Sequence, residues 1–423
     1  MKTLIFLSTL ASIFLLNACK KSRTDIIANA CTTNNTCTVT FTNDYTTAAD
    51  INVYDAGNAV KLTVTGLAAG TSVTKDVPAS GVKIIWSGST SVTHTVTYTA
   101  CQTFTENFNV PVNPAKGVYV AGWENNGTVN VAKYWKDGTA VSLTNGTKDA
   151  WSNSVWVAGT DVYSCGYENN GTKNVAKIWK NTTATLLTDG TKDAFAASVT
   201  VSGTDVYAVG WETQPAGNDV SKIWKNGVAI SLSGTTNNSR AFSVKVFGSD
   251  VYVAGYENNT GSAGIRAVAK YWKNGVSVPL TDGSRVAYGA DITVVGTDVY
   301  VSGSEGNGTV QIAKYWKNGV VVPATVTSST IRSFLCGIAV IGTDVVMAGS
   351  DNGTPASWKN NVKTNFVNAG DLSWLYVVGT DVYLAGYEGN GVLDKATVWK
   401  NGVATSLTNG TKDAIANGVF VVP

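Results

Sequence analysis

A Val-Tyr pair recurs along most of this chain. Its rings stand at Tyr119, Tyr163, Tyr207, Tyr252 and Tyr300, a valine replaces the ring at Val346, and Tyr383 follows. Successive spacings are 44, 44, 45, 48, 46 and 37 residues. A repeat of that length narrows the fold to a few architectures, and the period suits a four-stranded propeller blade. No unit carries the 3.6-residue apolar pattern that a helical repeat needs. Gly is abundant, Pro is scarce, and Val, Thr, Tyr and Trp are prominent, so many short strands joined by tight turns are expected and helix is nearly absent.

The second unit shows the plan. "SVWVA" (Ser154 to Ala158) is a strand, "GTD" its turn, and "VYSCGYE" (Val162 to Glu168) the return strand. "NNGTKN" then loops to "VAKIWK" (Val175 to Lys180), which turns at once into "ATLLTDG". Sister copies read "AKYWKNG" at Ala269 and Ala313 and "AKYWKDG" at Ala132. Two-residue hairpins favour Asn-Gly and Asp-Gly because both central residues take positive φ. The "KNG" half of the motif is therefore a turn. Its tryptophans, Trp135, Trp179, Trp224, Trp272, Trp316, Trp358 and Trp399, occur once per unit at one strand position. Such periodicity is expected to fill the wedge between neighbouring sheets.

The ends of the array fix the count. "NGVFVVP" (Asn417 to Pro423) matches a first strand and stops; "GVYVAGWE" (Gly117 to Glu124) matches a second strand and lacks a first. Joined, they complete one blade and pair the ring's open edges. Six whole units plus this shared one predict an all-β chain with a seven-bladed propeller of four-stranded blades over 113–423.

Upstream, residues 36–112 alternate apolar and polar in six runs, from "TCTVTFT" to "QTFTENF". A small antiparallel β-sandwich, immunoglobulin-like, is expected there. His94 lies on one of its strands with no second ligand at metal spacing, and reads as a solvent-facing strand residue.

The first 18 residues carry Lys2 and an apolar run from Leu4 to Leu16, too short to span a bilayer, and end at Leu16-Asn17-Ala18-Cys19. This segment resembles the lipobox signal of bacterial lipoproteins. The resemblance implies cleavage before Cys19 and lipid on its thiol, followed by a linker over 19–35. Several acyl chains on one Cys suffice for stable anchoring. The expected place is the bacterial cell envelope, at the outer membrane, with the periplasmic side and the surface both open. Export makes a disulfide reasonable among Cys31, Cys37 and Cys101, with Cys101 paired to one of the other two. Cys165 and Cys336 lie in apolar strand patterns and read as buried thiols.

A formal charge of +2 with 14% charged residues shows no nucleic-acid footprint. The longer loops, between second and third strands and from one blade to the next, emerge on one face. Glu124, Glu168, Glu212, Glu257, Glu305 and Glu388 end second strands, and Lys133, Lys177, Lys222, Lys270 and Lys314 begin third strands. Cross-hairpin pairing is the expected role; the sixth unit changes both positions, to Ser350 and Ala356. The blade-to-blade loops place Lys148, Lys192, Arg240, Arg285, Arg332 and Lys412 at comparable points, each near an aromatic in five of the six loops. Asp149, Asp193 and Asp413 follow the lysines but no Asp follows the arginines, so a positive arc is expected at Arg240, Arg285 and Arg332. Arginine can grip carboxylate, sulfate or phosphate in bidentate fashion. Solvated loop cations above buried aromatics are the plainer alternative.

No Trp-Asp repeat, kelch Gly pair, regular Asp-box, phosphate loop or metal spacing is present, and no cofactor is expected. The recurring "VYVAG" resembles the strand core of YVTN-type bacterial surface propellers, which implies exported binding or scaffold roles and no catalytic residues. The expectation is a monomeric, lipid-anchored lipoprotein. Its propeller is read as a non-catalytic platform for an anionic glycan or a protein. A glycan-active enzyme using central carboxylates and a structural adhesion protein are the alternatives.

Overall fold

The computed structural model describes strands of residues 36–108 and, except for 262–263, 324–329, 367 and 390, the whole of 116–423. The chain divides into two compact units after Val112. All regular elements among the described residues are strands. The lipobox, Cys19, Cys31 and Cys101 lie outside the described residues.

In the first unit, β1 (Thr36–Asn43), β2 (Ala49–Tyr54), β3 (Val60–Leu67), β4 (Thr71–Pro78), β5 (Val82–Ser87), β6 (Ser91–Val96) and β7 (Thr103–Phe108) form two sheets. Their orders are β4-β1-β7 and β3-β2-β5-β6. Val39, Phe41, Ile51, Val53, Leu67, Val77 and Ile84, drawn from both sheets, form one buried cluster. Two features differ from the sequence reading. β4, "TSVTKDVP", was not expected, because its Lys, Asp and Pro mask the alternation. The β1–β7 ladder is parallel, with Thr38 opposite Thr103. Cys37 sits on β1, and no disulfide forms among the described residues.

The second unit is seven four-stranded sheets. Blade 2 is typical: Ala150–Ala158, Asp161–Asn169, Asn174–Lys180 and Thr183–Leu186, each antiparallel to the next. Blade 1 draws Gly117–Asn125, Asn130–Lys136 and Thr139–Ser142 from the start of the array and Ala414–Val422 from its end. Val422 pairs with Gly117 and Ala414 with Glu124, so the expected closure is present. First strands of neighbouring blades pack on one another round the ring: Asn153 Nδ2 donates to Ala196 O at 2.8 Å, and Asn417 Nδ2 to Ser152 O at 3.0 Å.

The seven repeated tryptophans are buried, none more than 3% exposed, and each fills the gap between blades. Full burial of an indole is worth several kcal/mol, far more than any surface contact here. The turn glycines and asparagines behave as expected: Asn274 and Gly275 take φ of 52° and 82°, Asn318 and Gly319 53° and 80°.

The turn also does something the sequence reading missed. Asn318 Oδ1 accepts the Val299 backbone N–H at 2.9 Å, its Nδ2 donates to Asp298 at 2.7 Å, and Lys317 pairs with Asp298 at 2.7 Å. The "KN" of one hairpin thus clamps the "TD" of the other. The same Lys–Asp pair recurs at Asp161, Asp205, Asp250, Asp344 and Asp381. On this face the charges are spent on one another.

Two outcomes follow. Trp224→Ala is expected to cost about 3–5 kcal/mol in denaturant unfolding, by lost transfer energy plus cavity. The clamps give a pH signature. Hydrogen bonds from Lys317 and Asn318 hold Asp298 below its usual 3.8, so its contribution is complete above that value and is lost as pH falls through the lower folded pKa. Lys317, raised to about 12 by Asp298, contributes fully below 10.5 and loses the contribution as pH rises through about 12. In thermal melts Asp298→Asn should therefore be less stable than the parent at pH 7, with the gap narrowing below pH 3.

Candidate functional site

The loop face is built on a backbone contact. The first strand bulges between Ser152 and Ser154, and the bulge recurs in every blade. Opposite it stands a glycine of the second strand: Gly122, Gly166, Gly210, Gly255, Gly303, Gly349 or Gly386. A Cβ there would run into the carbonyl oxygen of the residue before the bulge, Trp151 O for Gly166 and Phe195 O for Gly210. This fixes the residue one place into each first strand at the mouth of the ring, beside the long loops.

By register those mouth residues are Ile415, Trp151, Phe195, Arg240, Tyr288, Phe334 and Asp371 in blades 1 to 7. Opposite them on the second strands stand Trp123, Tyr167, Trp211, Tyr256, Ser304, Ser350 and Tyr387. The outcome is a continuous aromatic arc. Trp123 meets Trp151 edge-on at 6.2 Å, Trp151 stacks on Tyr167 at 4.8 Å, and Tyr167 meets Phe195 at 4.7 Å. Phe195 stacks on Trp211 at 5.2 Å, Trp211 meets Phe242 at 6.0 Å, Phe242 meets Tyr256 at 5.9 Å, and Tyr256 meets Tyr288 at 5.0 Å. Every one of these rings is half-buried. Burial, with Asp149 behind it, pushes the Tyr167 hydroxyl well above its ordinary range. The arc stops after Tyr288, where Ser304 is small and buried.

The loop cations do not share one position. Lys148, Lys192, Arg285 and Lys412 lie two residues before the first strand's opening residue in their blades. Arg332 lies two residues before the mouth residue Phe334, where those four lie three before theirs, and Arg240 occupies the aromatic's own place at the mouth. Of the three arginines of the expected positive arc, Arg240 is compensated by a carboxylate. Arg240 lies over the Trp211 ring at 4.6 Å and is held by Asp219 through Nε at 2.7 Å and Nη2 at 2.6 Å. Arg332 lies over Phe334 at 5.3 Å and bears electrostatically on Asp371. Lys192 pairs with Glu212 at 3.0 Å and Gln214 at 3.2 Å. Lys148 and Lys412 reach over Gly171 and Gly127, and Arg285 over Gly308. Among the described residues no carboxylate pairs with Lys148, Lys412 or Arg285.

The aspartates that follow the lysines are not counterions in the main. Asp149 accepts the Asn130 N–H at 2.9 Å, Asp193 that of Asn174 at 2.9 Å, and Asp413 that of Asp394 at 3.0 Å. Each staples the third strand of the preceding blade. In blade 4 Asn238 does the same work for Asp219, at 2.8 Å, so no carboxylate is required there.

The Glu–Lys expectation holds for Glu124–Lys133 at 2.5 Å and Glu257–Lys270 at 2.7 Å, and for Glu168–Lys177 and Glu305–Lys314. Lys222 departs from it and donates to Ser231 at 3.1 Å, because Lys192 already holds Glu212. In blade 6, where Ser350 and Ala356 replace the pair, a buried Asp351 is held by Lys363 at 2.6 Å.

Below the mouth, the inner strands fill the channel. Phe420 meets Trp156 at 4.6 Å and Tyr376 at 4.8 Å, and Lys245 lies 5.9 Å over both Trp156 and Trp374. Burial pushes Tyr376 up to about 12. Symmetry breaks in blades 5 to 7. Asp291 is 2% exposed and accepts from Ser243 Oγ at 2.6 Å, Ile292 N at 2.8 Å and Ile338 N at 3.0 Å. Burial raises its pKa and that of Asp371. Cys336, only half-buried, lies within the influence of both; burial and then the charges of Asp371 and Asp291 push its thiol up. Cys165 is fully buried, as expected. No group of three or more potential metal ligands occurs among the described residues.

No family model and no curated protein matches the sequence. Among solved structures, the chain is similar to a prolyl endopeptidase, with TM-score 0.43 and 13% identity over 74% of this chain and 51% of that one. It therefore spans about half the length of that relative. It is also similar to TolB from Acinetobacter baumannii, with TM-score 0.42, 9% identity, and coverage of 75% and 90%. A third is glycoside hydrolase family 32 from Bifidobacterium adolescentis, with TM-score 0.31, 8% identity, and coverage of 90% and 88%. Among the described residues the fold is all-β, with a closed seven-bladed propeller.

The thiol environment gives a direct check. Thiolate is the reactive form, so Cys336 should alkylate with iodoacetamide at pH 8 more than tenfold slower in the native chain than after unfolding, read by peptide mass spectrometry. Asp371→Asn removes a charge that raises the thiol pKa, and labelling of the Cys336 peptide should speed up.

Proposed function

We propose that this chain is a lipid-anchored envelope protein, tethered through Cys19, whose propeller is a non-catalytic platform for binding a glycan. The observation that carries the reading is the arc of half-buried rings from Trp123 to Tyr288 on the loop face. Flat rings offer an apolar face to the C–H side of a sugar, while tyrosine hydroxyls and flanking Asp, Asn and Arg supply orienting hydrogen bonds. The carboxylates around the arc favour binding over chemistry: most are paired with lysine or staple a strand. The first unit is read as an immunoglobulin-like β-sandwich spacer, with Cys101 bridged to Cys37 or Cys31 in the oxidising envelope. The repeated "VYVAG" strands keep the resemblance to YVTN-type surface propellers, which fits an exported role.

A second reading has one observation in its favour. Asp371 and Asp291 break the ring's symmetry and are both raised by burial, as a general acid in a glycan-cleaving enzyme must be.

A glycan array with neutral and acidic members, followed by product analysis of each hit, separates these. Saturable binding to an uncut glycan, weakened about tenfold or more by Trp151→Ala or Trp211→Ala, supports the platform. Cleaved product abolished by Asp371→Asn would transfer the assignment to the enzyme. Silence across the array with capture of an envelope protein instead would sink both.

A further inference from the structure

Blade 5 brings three features together. The aromatic arc ends there at Tyr288. Arg285, three residues earlier and so within about 10 Å along the backbone, is exposed and lacks a carboxylate partner among the described residues. It also stands between two surface hollows.

The larger hollow, of about 500 Å³, is lined by Ser284, Arg285, Glu305, Asn307 and Lys314 among others. The smaller, of about 250 Å³, is lined by Arg285 with Arg266, Thr309 and Gln311. Nearby acids are engaged elsewhere. Glu305 is taken by Lys314, and Asp282 accepts the backbone N–H of Ser284 at 2.8 Å within its own turn. The position after the cation, an acid beside Lys148, Lys192 and Lys412, is Val286 here. Gln311 ties the wall of the smaller hollow to the loop that carries Arg285: its Nε2 donates to Val286 O at 3.2 Å. An exposed guanidinium with no carboxylate partner suits a ligand carrying an anionic group.

Resting on the platform reading above, we infer that blade 5 is an acidic-saccharide subsite. Arg285 grips a carboxylate or sulfate ester on a sugar whose neighbours lie along the rings from Tyr288 towards Trp151. The planar fork of arginine suits both anions.

The test is calorimetric titration of the full chain with three probes: tetragalacturonate, a sulfated tetrasaccharide and uncharged cellotetraose. An acidic probe should bind more tightly than cellotetraose, and its affinity should fall as salt rises. Arg285→Gln should weaken that probe by about tenfold to a hundredfold and leave cellotetraose unchanged. Arg285→Lys should recover part of the loss. Lys359→Gln, on the short-turn face of blade 6, should have little effect. The stronger of the two acidic probes identifies the anion as carboxylate or sulfate ester. Acidic and neutral probes bound alike, with Arg285→Gln silent, would overturn the subsite and leave the platform standing. If no saccharide binds, or only a protein does, the subsite and the glycan platform fall together. An unchanged melting temperature for Arg285→Gln confirms that the loss is not one of folding.

Discussion

At one point in each blade the first strand bulges so close to the second that only hydrogen fits between them. That contact, between a mouth residue's carbonyl and the Cα of Gly122, Gly166 or their sisters, organises the loop face. It turns the following residue into the inter-blade seam and leaves the preceding ring at the rim. Any side chain at the glycine would push the first strand inward, separate neighbouring blades and break the arc. The ring closure depends on the same contact, because Ala414–Val422 docks on Gly117–Asn125 through an identical bulge opposite Gly122. Fold and candidate surface thus share one steric requirement.

The two faces spend their charge differently. On the short-turn face, a Lys–Asp–Asn clamp in six blades satisfies each group locally, and exposed pairs of this kind contribute little individually. On the loop face the Glu–Lys pairs do similar work, yet several blades depart from their neighbours at the mouth and in the loop before it. Arg240 takes a ring's place, Val286 replaces a stapling acid, and Asp371 enters the mouth. An array under structural constraint alone has no need of such departures. They concentrate where loops and rings meet, and that makes the loop face the functional candidate.

The architecture was legible because it rests on periodic features: the Val-Tyr spacing, the Asn-Gly turns, one Trp per blade and the unmatched strands at each end of the array. The core role of tryptophan and the blade count follow from those alone. The site was legible only in part. Aligning the blade-to-blade loops by their cations put Arg240 level with Lys148, whereas strand register sets it three residues further on, at the place of Trp151. Loop lengths vary and a bulge intervenes, so a linear pattern cannot supply that offset. The arc was missed for the same reason. Its members come alternately from first and second strands of adjacent blades, and only the pairing of Trp151 with Tyr167 brings the two series into one line. The second-strand series was nevertheless visible as the aromatic before each Glu in "GYE" and "GWE".

The asymmetry of the arc bears on how a ligand is read. A complete ring of aromatics would bind in seven equivalent ways and fix no direction. Here the stacked rings run from blade 1 to blade 5; Ser304, Ser350 and Asp371 interrupt the series beyond and leave Phe334 and Tyr387 outside the stacked run, with a cation at the terminal blade. A chain-like ligand lying on such a surface has a defined polarity, since one end meets Trp123 and the other meets Arg285. The stacked rings are ordered by one another before any ligand arrives, so little side-chain entropy remains to be lost on binding. A pre-ordered apolar track with one charged terminus is what the proposed glycan platform requires, and on that proposal its chemistry is set by the few residues in which blade 5 differs from its neighbours.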